Sequence, residues 1–265
     1  MTHNGGNNGG NTVQSCHDVR QQGRGRGPLL RPGRAARASA GIAVLLAVLW
    51  ALPAQAGTAG SDRLLPGGTL QAGQSISAGG DTPTMRANGN LVLYAPGRTR
   101  IWSSRTSGHR GARLVMRNDG NLVVVAPGGR PLWAAGTGQH GGSMLILQPD
   151  GNAVIYAPGD VALWSTNTSR QAYAVTQLAA HGWAARQFAC LDHIWVRESG
   201  WNELAGRPAH SYGIPQANPG IKMAAAGPDW RTSPQTQIRW GEDYIRARYR
   251  TPCRAWAYWQ VHRFY

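Results

Sequence analysis

The sequence predicts a multidomain chain: an all-β, three-fold β-prism followed by a mainly α domain. Three near-identical stretches ending at Trp102, Trp133 and Trp164 recur at a spacing of 31, and that period disappears after about Asn167. There alanines and helical spacing take over. An arginine-rich leader also sets residues 1–56 apart from both.

In the leader, Arg20, Arg24, Arg26, Arg31, Arg34 and Arg37 precede the uncharged run "ASAGIAVLLAVLWALPAQA", which closes with Pro53 and a small-x-small ending at Ala56. This is the layout of a secretory signal peptide, so the mature chain is expected to start at Gly57 and to be secreted, extracellular or associated with a cell wall. A membrane anchor is the alternative. The strongly apolar part, Ile42 to Leu52, is shorter than the roughly 20 residues a bilayer needs, so no stable membrane span is expected after cleavage.

The chain has 27 basic and 12 acidic residues, a formal charge of +15, and the leader accounts for only six arginines and one aspartate. The remainder stays cationic and favours an anionic surface. Export argues against nucleic acid as that partner, while an anionic wall or plain solubility fits. Cys16 falls in the leader, leaving Cys190 and Cys253. In an exported protein they are expected to form one disulfide, contributing about 4 kcal/mol in the chain-entropy account, with two buried thiols as the alternative.

Within residues 57–168 the glycines Gly89, Gly120 and Gly151 and the asparagines Asn90, Asn121 and Asn152 keep the period of 31. A fixed period of this length indicates repeated units that bury a shared core. Each unit has two alternating apolar runs around an Asn-Gly or Asp-Gly pair. That pattern predicts a hairpin whose two central turn residues both have positive φ. Three such sheets suggest a prism closed by the three tryptophans.

These residues resemble the bulb-type mannose-binding lectins and their motif Gln-x-Asp-x-Asn-x-Val-x-Tyr. The third repeat matches fully, with Gln148, Asp150, Asn152, Val154 and Tyr156. Alternation puts Asn152, Val154 and Tyr156 on one strand face, with Gln148 on the facing strand and Asp150 in the turn. An acidic acceptor, two amides and a phenol over an apolar floor suit a hexose, which both donates and accepts and also has C–H faces. The first repeat has Arg86, Asn88, Asn90, Val92 and Tyr94, and the second has Arg117, Asp119, Asn121, Val123 and Val125. One good mannose-type site is therefore expected, in the third repeat; in the second, turn-making suffices to explain the residues. The resemblance leaves the oligomeric state open.

In residues 169–265, "RQAYAVTQLAAHGWAARQFACLDHIWVRESGW" has apolar positions at i, i+3 and i+4, with Gly182 and Gly200 as stops, and predicts two helices ending near Ala180 and Glu198. Leu191, Ile194 and Trp195 share a face with Glu198. A carboxylate held there would have a raised pKa, as a general acid near neutral pH needs; a solvent-facing Glu198, or one paired with Arg197, is the alternative reading. Seven tryptophans from Trp183 to Trp259 serve mostly as core. His181, His193, His210 and His262 have no zinc spacing, and no cofactor or metal is expected.

The stretches "CLDHIWVRESGWN", "YGIPQANPGIKM" and "DWRTSPQTQIRWGEDYIRARYRTPCRAW" resemble the lysozyme-like transglycosylase domains of secreted actinobacterial proteins. The resemblance implies Glu198 as catalytic acid within a Glu198-Ser199 pair, Ser199, Tyr212 and Gln216 as substrate contacts, and Tyr244 or Tyr249 as a cleft-facing tyrosine. Here "GRPAHSY" carries Arg207 and His210 where that family has a longer loop. The chemistry implied is cleavage of the MurNAc–GlcNAc β-1,4 bond of peptidoglycan, as a lytic transglycosylase. A lysozyme would add a second carboxylate, for which Asp229, Glu242 and Asp243 are the candidates. The whole chain then reads as a secreted wall-lytic enzyme held on its substrate by a lectin domain. A non-catalytic lectin, adhesin or lectin-like toxin with a structural helical domain is the alternative.

Overall fold

The computed structural model describes residues 62–265; the leader and the expected cleavage site lie outside the described residues. Eleven strands precede four helices among them. They are β1 (Arg63–Leu64), β2 (Thr69–Leu70), β3 (Thr82–Met85), β4 (Leu91–Ala95), β5 (Thr99–Ser103), β6 (Arg113–Met116), β7 (Leu122–Val125), β8 (Pro131–Ala134), β9 (Met144–Leu147), β10 (Ala153–Ala157) and β11 (Val161–Ser165). The helices are α1 (Ser169–Gln177), α2 (Gln187–Glu198), α3 (Pro234–Tyr249) and α4 (Pro252–His262).

The strands form three antiparallel sheets ordered β3-β4-β5, β2-β6-β7-β8 and β1-β9-β10-β11. Each repeat supplies one three-stranded unit. The preceding segment visits all three in turn: Leu64 pairs with Leu145, Leu70 with Leu114, and Ser75 bridges to Thr84. Leu64, Leu70 and Ile76 point inward along this segment and are at most 1% exposed. At the centre Trp102, Trp133 and Trp164 meet edge to face, with ring centroids 5.5 to 5.9 Å apart. Such pairs contribute about 0.5–1.5 kcal/mol each beyond area burial.

The hairpin turns differ from the expected tight type. Gly89, Gly120 and Gly151 have φ of 87°, 89° and 81°, but the residues before them do not have positive φ. Each glycine N–H bonds back to the carbonyl three residues earlier, on Arg86, Arg117 or Gln148, at 2.9 to 3.0 Å. This is a three-residue loop ending in a left-handed glycine. A second positive φ is unnecessary because the side-chain oxygen of Asn88, Asp119 or Asp150 accepts the N–H two residues on, at 2.9 to 3.1 Å.

Helix α1 begins at Ser169, directly after the third repeat, and ends at Gln177; single turns then carry the chain to Gly182. Helix α2 ends at Glu198, where the apolar spacing stops. Ser233 and Thr251 cap α3 and α4 by accepting from Thr236 N and Arg254 N, and each is followed by a proline, which suits the first helical position. A disulfide between Cys190 and Cys253 ties α2 to α4. Phe188, Leu191, Ile194, Trp195 and Trp259 form the helical core, against which Ala95 and Ile101 of the prism also pack. Prism and helices thus form one compact unit. No helix among the described residues is long and apolar enough to cross a membrane.

Candidate functional site

In the third repeat Gln148 and Asn152 face each other at the turn end of β9 and β10, with Gln148 N donating to Asn152 O at 2.9 Å. Val154 and Tyr156 follow on the same face. Gln148 Nε2 donates to Tyr156 Oη at 3.0 Å, reaching across Val154, which is 4% exposed. Asp150 is exposed at the rim, with one oxygen engaged by Asn152 N. Asn152 Oδ1 accepts from Thr166 Oγ1 at 3.1 Å and Thr168 N at 3.4 Å, while its amide nitrogen makes no hydrogen bond among the described residues. One patch thus offers an acidic acceptor, amide donors and a phenol over an apolar floor.

The motif asparagines also hold the fold together in every copy. Asn90 Oδ1 accepts from Thr106 N at 3.1 Å, and Asn121 Oδ1 from Thr137 N at 3.2 Å. Thr106, Thr137 and Thr168 each donate their hydroxyl back to the turn glycine's carbonyl, at 2.6 to 2.7 Å. These threonines keep the period of 31, so the repeat itself marks them as part of each hairpin. In the first copy Tyr94 lies under the Arg98 guanidinium, 5.7 Å from its ring centre. In the second, Arg117 forms an exposed salt bridge with Asp119 at 3.0 Å, and Val125 stands where the other copies have tyrosine.

The third copy also touches α1: a Cβ on Gly151 would meet that of Ala172. Asp81 lies beside the same glycine, 3% exposed, and its carboxyl is pushed up to about 6 by burial and then by the charge of Asp150. Just before the first strand of the other repeats, Ala112 and Ser143 stand at this place.

The prism is similar to the mannose-binding lectins of bulbs. A monomeric monocot mannose-binding lectin from Gastrodia elata is 42% identical over 41% of this chain and 98% of its own, with a TM-score of 0.39. The mannose-specific agglutinin of snowdrop (Galanthus nivalis), complexed with methyl-α-D-mannoside, is 39% identical over 41% of this chain and 97% of its own, with a TM-score of 0.35. A lectin of Marasmius oreades is 30% identical over 41% and 92%, with a TM-score of 0.38. The likeness lies in the prism-forming region. No protein-family model matches the chain, and no curated protein does.

Beyond the lectin-like prism, Glu198 occupies the last turn of α2, on the face that buries Leu191, Ile194 and Trp195 completely. Its Oε1 accepts a 2.6 Å hydrogen bond from Trp259 Nε1 on α4. Burial raises its pKa, against which the Trp259 bond works. It does not pair with Arg197, whose guanidinium donates to His193 O and stacks on Trp256 at 4.8 Å. Trp195 Nε1 donates to Tyr265 Oη at 2.7 Å, and that hydroxyl donates to Pro215 O at 3.0 Å. Burial, and among the charges Glu198, pushes the Tyr265 phenol well above its usual range. Tyr244 and Tyr249 pack on Tyr265 at 5.9 and 6.4 Å, and Tyr244 also stacks on Trp240. The carboxyl therefore borders an aromatic cluster. Trp259 and Tyr265, the residues nearest to it in this respect, lie more than sixty positions away and had no sequence signal.

Other expected contacts are placed differently. Tyr212 is 7% exposed, with its hydroxyl donated to Arg231 O at 2.8 Å, so it is a core residue and not a cleft wall. Gln216 turns its amide back onto Gly213 O and Ala205 O at 2.9 and 3.2 Å, serving the loop. Ser199 donates to Ile214 O at 2.8 Å, fastening that loop to the end of α2. Among the second-carboxylate candidates, Glu242 is fully buried against His181, 3.3 Å away, and its pKa is pushed up to about 7 by burial. Asp229 is exposed and bonded by Thr236 at 2.7 Å, and Asp243 lies 3.9 Å from His181.

Proposed function

We propose that this is a secreted wall-lytic protein in which the lectin-like prism binds a mannose-type glycan through Gln148, Asp150, Asn152, Val154 and Tyr156. The helical part cuts the MurNAc–GlcNAc β-1,4 bond of peptidoglycan with Glu198 as its acid. The observation that carries the lytic half is Glu198 itself: half-buried at a helix end, held by one indole N–H, raised in pKa and bordered by tyrosines. A carboxyl so placed keeps its proton to higher pH than an exposed one and can deliver it.

In this reading Glu198 protonates the glycosidic oxygen as the C1–O bond breaks. The carboxylate left behind then takes the proton of the muramyl 6-hydroxyl while O6 bonds to C1, giving a 1,6-anhydro end and regenerating the acid. Among the second-carboxylate candidates, Glu242 is fully buried against His181. That favours the one-carboxyl route over hydrolysis, which uses a second.

Mass spectrometry of muropeptides released from purified peptidoglycan tests this, comparing the wild type with Glu198→Gln. Anhydromuramyl products lost in the variant are the expected result; reducing ends would mean a hydrolase; no product from folded wild type would leave a lectin. The inward-turned Tyr212 and Gln216 favour that last, non-catalytic reading.

A further inference from the structure

A groove of about 850 Å³ runs between β5 of the prism and the flank of α2, and it includes neither Glu198 nor the residues of the third-repeat site. One wall carries Arg98, Arg100 and Arg105, the other Arg186 and Asp192, and Trp102 and Trp133 line it as well. All four arginines are exposed, and among the described residues none closes a salt bridge within 4 Å. Arg98 also lies over the Tyr94 ring, and Arg100 acts on Asp192 across the groove, but no carboxylate closes on any of the four.

The internal repeats show that these arginines are not a requirement of the prism. At the places of Arg98, Arg100 and Arg105 the second copy has Gly129, Pro131 and Gly136, and the third has Asp160, Ala162 and Asn167. Arg98 and Arg105 both have φ of 59°, as the left-handed backbone of every copy requires at these two places. Gly, Asn and Asp adopt that conformation readily; an arginine there is strained. The repeat facing α2 thus sets two left-handed arginines along the groove, a conformation Arg250 and Arg263 also adopt at helix ends, and here the other copies use Gly, Asp or Asn instead.

We infer that this groove is a binding site for an acidic saccharide chain, its arginines pairing with carboxylates of the sugar and its tryptophans meeting C–H faces. Forked guanidinium donors match carboxylates two bonds at a time. Asp192, whose Oδ1 accepts from Trp201 Nε1 at 3.0 Å, adds a carboxylate to the α2 wall. It can accept from the sugar hydroxyls that lie between the carboxylates. The inference does not rest on the lytic activity.

The test is isothermal titration of the full-length protein with hexagalacturonate, set beside its fully methyl-esterified form, a heparin hexasaccharide and hexathymidylate. The variant is Arg98→Gly with Arg100→Ala and Arg105→Gly, residues that the other copies already use at these places. Because two of the changes relieve left-handed strain, its melting temperature should equal or exceed the wild type's. Expected are binding of hexagalacturonate, none of the neutral ester, and a loss of about tenfold or more in the variant. Tighter binding of the heparin fragment with the same loss would make the acid a sulfate. Silence with both acidic sugars overturns the inference. So does hexathymidylate that binds as well and weakens equally, since the groove would then be a general anion surface.

Discussion

The prism and the helical part build their candidate sites by opposite routes. In the prism the residues of the candidate site lie within nine positions of each other, and Asn152, whose amide nitrogen makes no hydrogen bond among the described residues, also clamps the hairpin through its oxygen. In the helical part Glu198 depends on Trp259 and Tyr265, brought back by α4 and the chain after it. A repeat can depart from the motif and keep its fold, as the second copy does with Arg117 and Val125. The helical site has no spare copy, so changes there should cost function outright.

The largest expected effect follows. Glu198→Gln should lower lytic turnover by about 10²- to 10⁴-fold, the usual contribution of a positioned acid, with little change in melting temperature. Turnover within a few fold of wild type would remove Glu198 from the chemistry. Next comes Cys253→Ser, which opens the link between α2 and α4 and should destabilise by about 2–5 kcal/mol. Gly241→Ala attacks the same region from α3. Its Cβ would lie 2.7 Å from Trp195 Cζ2 and 3.0 Å from Pro215 Cβ, and overpacking of this sort costs about 1–3 kcal/mol. Denaturant melts should show both losses, with mannose binding by the prism retained; equal loss of mannose binding would mean the two parts unfold together.

The same contrast explains what could be read from the sequence. The period of 31 fixes hairpins, central tryptophans and the shared face of Asn152, Val154 and Tyr156, because each depends on neighbours in the chain. The end of α2 at Glu198 and its apolar face follow from helical spacing alone. The Asp-Gly pair alone predicts a two-residue loop, but the turn differs because the aspartate's side chain takes the place of the second left-handed residue. Resemblance assigns Tyr212 and Gln216 to the substrate, and packing spends their polar atoms on Arg231 O, Gly213 O and Ala205 O. The indole on Glu198 is a tertiary contact with no local trace.

Buried acids give the comparison a pH dimension. Glu242 in the helical part is pushed up to about 7 and Asp81 in the prism to about 6, in each case mainly by burial. A carboxyl raised on folding favours the folded state fully below its ordinary pKa, and that advantage is lost as pH rises through the folded value. For Glu242 the loss lies between about 4.5 and 7 and amounts to something on the order of 3 kcal/mol. Thermal melts from pH 4 to 8 should therefore fall with rising pH in the wild type. Glu242→Gln should flatten the upper part of that slope and Asp81→Asn the lower. An unchanged slope in Glu242→Gln would place the titrating group elsewhere.

The smallest change in stability should come with a gain of function. Arg117→Gln together with Val125→Tyr gives the second repeat the five residue types of the third, on a hairpin with the same turn bonds. The cost is one exposed ion pair, Arg117 with Asp119, a contact of less than about 1 kcal/mol. Room for the phenol is indicated by Tyr94 and Tyr156, half-buried at the equivalent place in the other copies. Titration with methyl-α-mannoside should then show two sites where one is expected of the wild type. If the count stays at one, the five side chains are insufficient, and what distinguishes the third repeat is its setting against α1, where Ala172 closes on Gly151 and Asp81 lies beside Asp150.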